Sequence, residues 1–229
     1  MVSEDAITAT LQGSIEDFIR HAPFFKAWVP GAVGRAQAER FLASFDALVR
    51  SFPALIAAGI ARAPDESTRV VLAVNLFQEC GEGDPRRTHW AIYRRFLETA
   101  GIAPADREIP YAAQWRQTLM DYVLKAQNPG AVLGALASGE FLAQPALSRL
   151  YAVLKPLFPQ ADQEYFTHHL ALETEHMREI ASLLARQLKE KPDWDLVQRG
   201  FKDGLLAWGD YFNALGLDLK LSLQTPEGV

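Results

Sequence analysis

Apolar residues recur every three or four positions along almost the whole chain, and alternating β-branched runs bounded by turns are missing. That period is helical. It predicts helices over about 4–21, 34–62, 66–80, 86–100, 109–126, 129–158, 161–190 and 193–215, and no strand. Turn residues fall between them: Pro30-Gly31 and Gly34, Pro64-Asp65, the run Gly81-Glu82-Gly83-Asp84-Pro85, Pro104, Pro110, Asn128-Pro129-Gly130, Pro159 and Pro192. Pro53 and Pro145 lie inside helical patterns. They predict kinks or breaks, as where a bundle opens around a pocket. With no repeat, low-complexity stretch or long linker, the expectation is one all-α domain over residues 1–229, a bundle of seven or eight helices.

One segment departs from the pattern. In YFTHHLALETEHMREI, residues 165–180, the core-facing stripe runs Phe166, His169, Leu172 with Glu173, His176, Ile180, then Leu183 and Leu184. Its ends are apolar, but its middle is His169, Glu173 and His176. Burying ionisable groups without partners is costly, so such a row must be charge-paired, hydrated or bound to a cation. His168, Glu175 and Glu179 fall off the stripe and read as solvated.

Composition narrows the setting. The chain has 229 residues, 49% of them hydrophobic, enough for a sizeable core. No stretch approaches the roughly 18 consecutive apolar residues of a membrane span, and MVSEDAITATLQ is acidic and polar where a signal peptide is basic, then apolar. A cytoplasmic protein with no membrane partner is expected. Twenty-three basic against 28 acidic residues, a formal charge of -5, leave no basic surplus for a nucleic-acid backbone. The single cysteine, Cys80, excludes an intrachain disulfide and reads as a small buried side chain beside Glu79.

If the polar row binds metal, other helices must supply donors, because one helix covers only one side of an ion. Two do. In residues 70–90 the stripe Leu72, Leu76, Glu79 brings Glu79 inward at a helix end, and after a Gly-rich turn His89 opens the next helix. In residues 130–145 the stripe through Leu133 and Leu136 brings Glu140 inward among Gly134, Ala135, Ala137, Ser138 and Gly139, small residues that allow close approach and leave room for a ligand. Glu82, the rival to Glu79, follows a helix-stopping glycine and reads as exposed; His21 reads as a capping residue.

The set Glu79, His89, Glu140, His169, Glu173 and His176 contains three carboxylates and three imidazoles. Six donors exceed what one ion with open positions needs, and the mixture favours iron or manganese over thiolate-bound zinc. A salt-bridged His-Glu face would be the purely structural counterpart. Phe45, Phe52, Phe77, Trp90 and Phe141 are candidate cavity residues, and Tyr165, Arg178 and Arg50 candidate contacts for a substrate carboxylate.

In these residues the chain resembles the haem-oxygenase-like dimetal oxidases and oxygenases, a branch of the fold shared with thiaminase II and pyrroloquinoline-quinone synthase. NLFQECGEGDPRRTH is similar to the family's Asn-x3-Glu-x-Gly-x-Gly-Asp-Pro-x3-His segment, and YFTHHLALETEH to the corresponding helix of the chlamydial protein associating with death domains. The resemblance implies a haem-oxygenase-like bundle with two iron ions, or manganese in one site, on Glu79, His89, Glu140, His169, Glu173 and His176. Glu140 and Glu173 would be bridging candidates. It further implies dioxygen as co-substrate and a small organic substrate, amino-acid-like, amine or fatty acid, undergoing N-oxygenation or C–C cleavage. Homodimers are common in this fold. The turn HAPFFKAW has Phe24 and Phe25 where the chlamydial protein has a tyrosine implied to be consumed as substrate, which argues against p-aminobenzoate synthesis. Thiaminase II needs a mid-chain cysteine that this chain lacks. The alternatives are a metal-free cofactor-biosynthesis enzyme resembling pyrroloquinoline-quinone synthase, a p-aminobenzoate synthase-like protein and a protein-interaction module on the same fold.

Overall fold

The computed structural model describes residues 3–105, 109–190 and 193–222, except the side chains of Glu173, Thr174 and Glu190. Pro192 and the side chain of Glu173 therefore lie outside the described residues. Among them the chain forms α1 (Glu4–His21), α2 (Pro23–Ala27), α3 (Arg35–Arg62), α4 (Glu66–Glu79), a 3-10 turn (Gly81–Gly83), α5 (His89–Ala100), α6 (Pro110–Lys125), α7 (Pro129–Leu157), α8 (Glu164–Glu190) and α9 (Trp194–Asp218). The eight long helices are those expected; α2 replaces the turn read in HAPFFKAW.

Local chemistry sets the helix starts. Ser3, Asp65, Thr88 and Asn128 accept hydrogen bonds from first-turn backbone N–H groups of α1, α4, α5 and α7, and Pro23, Pro110 and Pro129 occupy first-turn positions where an N–H has no helical partner. Gly101, at φ 73°, closes α5 in the left-handed conformation. Of the kinks or breaks expected, no break occurs: α3 and α7 run on through Pro53 and Pro145. A proline in a helix interior costs about 3 kcal/mol. Burial on both sides offsets that: Leu48, Val49, Leu55 and Ile56 around Pro53, Phe141, Leu142, Ala146 and Leu147 around Pro145.

The central element is α7, which packs on α9, α8, α3, α6 and α1. It crosses α9 so closely that a Cβ on Gly134 would run into the Val197 backbone, and one on Gly200 into that of Ala131. The small residues of α7 therefore serve this crossing as well as the cavity. By length and composition α3 could cross a membrane; here its apolar face is core, packed on α4, α5, α6 and α7. At one end, Phe24, Phe25, Trp28, Phe41 and Phe212 form an aromatic cluster with ring centroids 4.6–6.2 Å apart.

Candidate metal centre

On α8 the described polar members of the stripe, His169 and His176, face inward with Phe166, Ile180, Leu183 and Leu184, all buried, and Leu172 is half-buried. Glu79 ends α4 and His89 begins α5, both buried. The turn between them depends on Gly81, whose φ of +72° and contact with the Arg87 and Thr88 backbone leave no space for a Cβ. Glu140, also buried, projects from α7.

These residues form two adjoining groups. In the first, donor atoms of Glu79, His89 and His169 lie within 4.8 Å of one another. His89 Nδ1 is 2.8 Å from Glu79 Oε2, yet neither ring nitrogen of His89 has a hydrogen-bond partner. The imidazoles of His89 and His169 are 4.1 Å apart at their centroids. His169 Nδ1 lies 2.8 Å from the Tyr165 carbonyl oxygen. A carbonyl only accepts, so Nδ1 carries the proton and Nε2 keeps a free lone pair. In the second group His176 Nδ1 is 3.5 Å from Glu140 Oε2, Asn75 Nδ2 donates to Glu140 Oε1 at 3.1 Å, and His176 Nε2 lies 3.1 Å from Gln78 Oε1. Glu173 belongs to the same helical row, but its side chain is outside the described residues.

The electrostatics suit a cation. Burial pushes the imidazoles of His89 and His169 down to about 3, so both are neutral bases. Burial raises the Glu79 carboxyl, only partly offset by the nearby histidines. Burial would lower His176, but its hydrogen bond to Glu140 and that residue's charge raise it. Two neutral imidazoles, one making no hydrogen bond, beside a carboxylate that gains from a positive neighbour fit a divalent ion of the iron or manganese kind.

The first group opens on a cavity. Its walls include Phe45, Leu48, Phe52, Leu147, Tyr165 and Trp208, almost wholly apolar, the lining expected of a small-molecule site. Pro53 and Pro145 lie in the helical stretches that wall it. Of the aromatic candidates, Phe45 and Phe52 line it. Phe77 is 54% exposed, Trp90 is 37% exposed, and Phe141 packs on Phe201 instead. Tyr165 lines the cavity, whereas Arg50 lies over Trp90 on the surface and exposed Arg178 pairs with Glu175. Cys80 is exposed, not buried: the helix ends at Glu79, and the turn carries the next side chain outward. His168 is half-buried, with its ring 5.5 Å from that of His89, rather than solvated. Glu82 is exposed.

Sequence reading assigned no role to Asn75 or Gln78. Asn75 had a visible signal: it lies one turn before Glu79, on the buried stripe Leu72, Asn75, Glu79. Gln78 had none, since its partner comes from a helix about a hundred residues away.

A model of the iron-containing redox enzyme family matches residues 39–209, which include all six candidate ligands. The chain belongs to this family. No curated protein sequence matches it. Among solved structures, this family member is similar to a CADD-like protein of unknown function from Nostoc punctiforme PCC 73102, with 16% identity, 94% of this chain and 98% of that one covered and a TM-score of 0.80. A Shewanella denitrificans OS217 domain of unknown function with a heme oxygenase-like fold gives 14% identity, 100% and 99% coverage and 0.74. A TenA family transcription regulator from Silicibacter sp. TM1040 gives 13%, 94% and 95%, and 0.62. At these identities the likeness is one of fold, and the fold is haem-oxygenase-like.

Proposed function

We propose that this iron-containing redox enzyme is an oxidase or oxygenase that uses dioxygen on a small organic substrate, with one iron on Glu79, His89 and His169 and a second on Glu140, His176 and Glu173. The observation that carries the reading is His89: buried, neutral, without a hydrogen bond at either ring nitrogen, yet beside Glu79 and His169 at the base of an apolar cavity. A buried polar group left unpaired costs roughly 1–3 kcal/mol, and a bound cation removes that cost for the whole group.

The chemistry iron contributes at such a site is electron transfer to dioxygen. The chain's own part is orientation and exclusion of water. The Tyr165 carbonyl fixes the His169 tautomer, so Nε2 keeps the lone pair that would bind an ion. Asn75 holds one oxygen of Glu140, leaving the other directed at His176. Gln78 holds His176 Nε2, so Nδ1 is the nitrogen on the Glu140 side. Tyr165 and His169 pack ring to ring at 4.3 Å, fixing the cavity floor. The apolar walls receive the substrate body and keep bulk water from the reacting atoms.

The test is iron content after anaerobic Fe(II) loading, followed by rapid mixing with dioxygen and an optical scan. About two irons per chain and a transient band are expected, with iron lost from His89→Ala and from His176→Ala while helicity is kept. No retained iron in the wild type, or full retention in both variants, overturns the reading.

A further inference from the structure

A second cavity abuts the centre. Leu55, Leu72, Leu119, Val123 and Ile180 line it, with Glu140 as its charged member. Phe52, Gly139 and Trp208 border both cavities. The wall they form is tight: a Cβ on Gly139 would lie 3.1 Å from Phe52 Cε2 and 3.6 Å from Trp208 Cζ2. The larger cavity touches Glu79, His89 and His169, and the smaller touches Glu140.

Size separates their uses. Measured as room for a water-sized molecule, the volumes are about 70 and 20 Å³. On that measure roughly 10–15 Å³ holds one water, so the smaller cavity takes one molecule of two or three atoms and no organic substrate. Its chemistry then selects the molecule. Water needs two to four polar partners, and the lining residues offer two polar groups: the Glu140 carboxylate, engaged by Asn75 and His176, and the buried indole N–H of Trp208, which has no hydrogen-bond partner. The remaining walls are almost entirely aliphatic and aromatic. Voids of that kind stay dry and accept apolar guests such as xenon.

We propose that the smaller cavity is a holding site for dioxygen, presenting it at the Glu140 side of the centre while the organic substrate occupies the larger cavity, with Phe52 as the wall between. The role rests on the reading of the protein as a dioxygen-using iron enzyme. A substrate that fills the larger cavity would then leave the gas its own place.

Xenon-pressurised crystals test occupancy without iron. A xenon site among Leu72, Leu119, Val123 and Glu140 is expected in the wild type, weaker in Val123→Ile and absent in Val123→Phe. Val123 belongs to neither the candidate ligands nor the larger cavity, and the milder variant serves if the larger one fails to fold. The same proteins, loaded anaerobically with Fe(II) as electron donor, are then mixed with limiting dioxygen. Oxidation several-fold slower in Val123→Phe, and intermediate in Val123→Ile in step with its xenon occupancy, supports the site. Absence of xenon from the wild-type cavity overturns it, as does wild-type oxidation in a variant that has lost xenon. Iron content is measured in parallel. Failure of the wild type to bind iron defeats the enzyme reading itself, whereas normal iron with unchanged oxidation rates defeats only the holding site.

Discussion

His169 Nδ1 lies 2.8 Å from the carbonyl oxygen of Tyr165, one turn earlier on the same helix. The acceptor has no proton to give, so the histidine is held as the Nδ1–H tautomer. Nitrogen NMR of the metal-free protein should show His169 neutral and protonated at Nδ1 from pH 5 to 8, and iron loading should shift Nε2. Protonation at Nε2 in the metal-free state would contradict the assignment.

His89 presents a different case: neither ring nitrogen makes a hydrogen bond, although Nδ1 lies 2.8 Å from the Glu79 carboxylate. His89→Leu should abolish iron at the first group and change the stability of the metal-free chain by less than about 1 kcal/mol, because removal of two ring nitrogens without hydrogen bonds is set against a buried Glu79 carboxyl that loses its neighbour at 2.8 Å. Urea unfolding of both proteins after chelation decides this. A loss above about 2 kcal/mol would mean that Glu79 depends on His89 in the metal-free fold.

Gly81 sets the spacing of Glu79 and His89. At φ +72°, with the Arg87 and Thr88 backbone against it, it has no room for a methyl group. Gly81→Ala should preserve most of the helicity while weakening iron binding by tenfold or more, about 1.4 kcal/mol. Unchanged affinity would show that the turn does not position the ligands.

Two other glycines make a paired comparison. Gly200→Ala puts a Cβ into the Ala131 backbone, and Gly13, on the exposed side of α1, has nothing within 4 Å of its added Cβ. The first should destabilise by about 3 kcal/mol or prevent folding, and the second should stabilise by about 0.5–1 kcal/mol through helix propensity. Thermal melts of the two variants should move in opposite directions.

Asp65 caps α4, the helix that delivers Glu79. Burial alone would raise its carboxyl, but hydrogen bonds from the Thr68 backbone, Gln187 and the Thr68 hydroxyl outweigh that and lower it below the ordinary 3.8. A depressed folded value means that the contribution is present above the unfolded pKa and is lost as pH falls through the folded one. Asp65→Ala should therefore cost about 1 kcal/mol at pH 7, and the difference between variant and wild type should shrink below about pH 3.8. A pH-independent difference would assign the effect to packing.

Much of this molecule follows from local rules. The eight long helices follow from the spacing of apolar residues, because that spacing allows one buried stripe per helix, and their starts from Ser3, Asp65, Thr88 and Asn128, whose side chains satisfy backbone groups a few residues away. The candidate donors were legible for a related reason: a charged group on a core stripe conflicts with its neighbours, and His169 and His176 on α8, like Glu79 and Glu140, stood out against apolar positions. Only the tertiary structure decided how those donors divide. Glu79 with His89 and His169, and Glu140 with His176, are pairings across four helices, set by how α4, α5, α7 and α8 pack. The same packing turned Cys80, Phe77 and Trp90 outward, carried α3 and α7 unbroken through Pro53 and Pro145, and left two apolar voids on either side of Phe52. A periodic pattern states which face of a helix avoids water. Which helix it meets there, and what space is left between them, depends on side-chain volumes from distant parts of the chain.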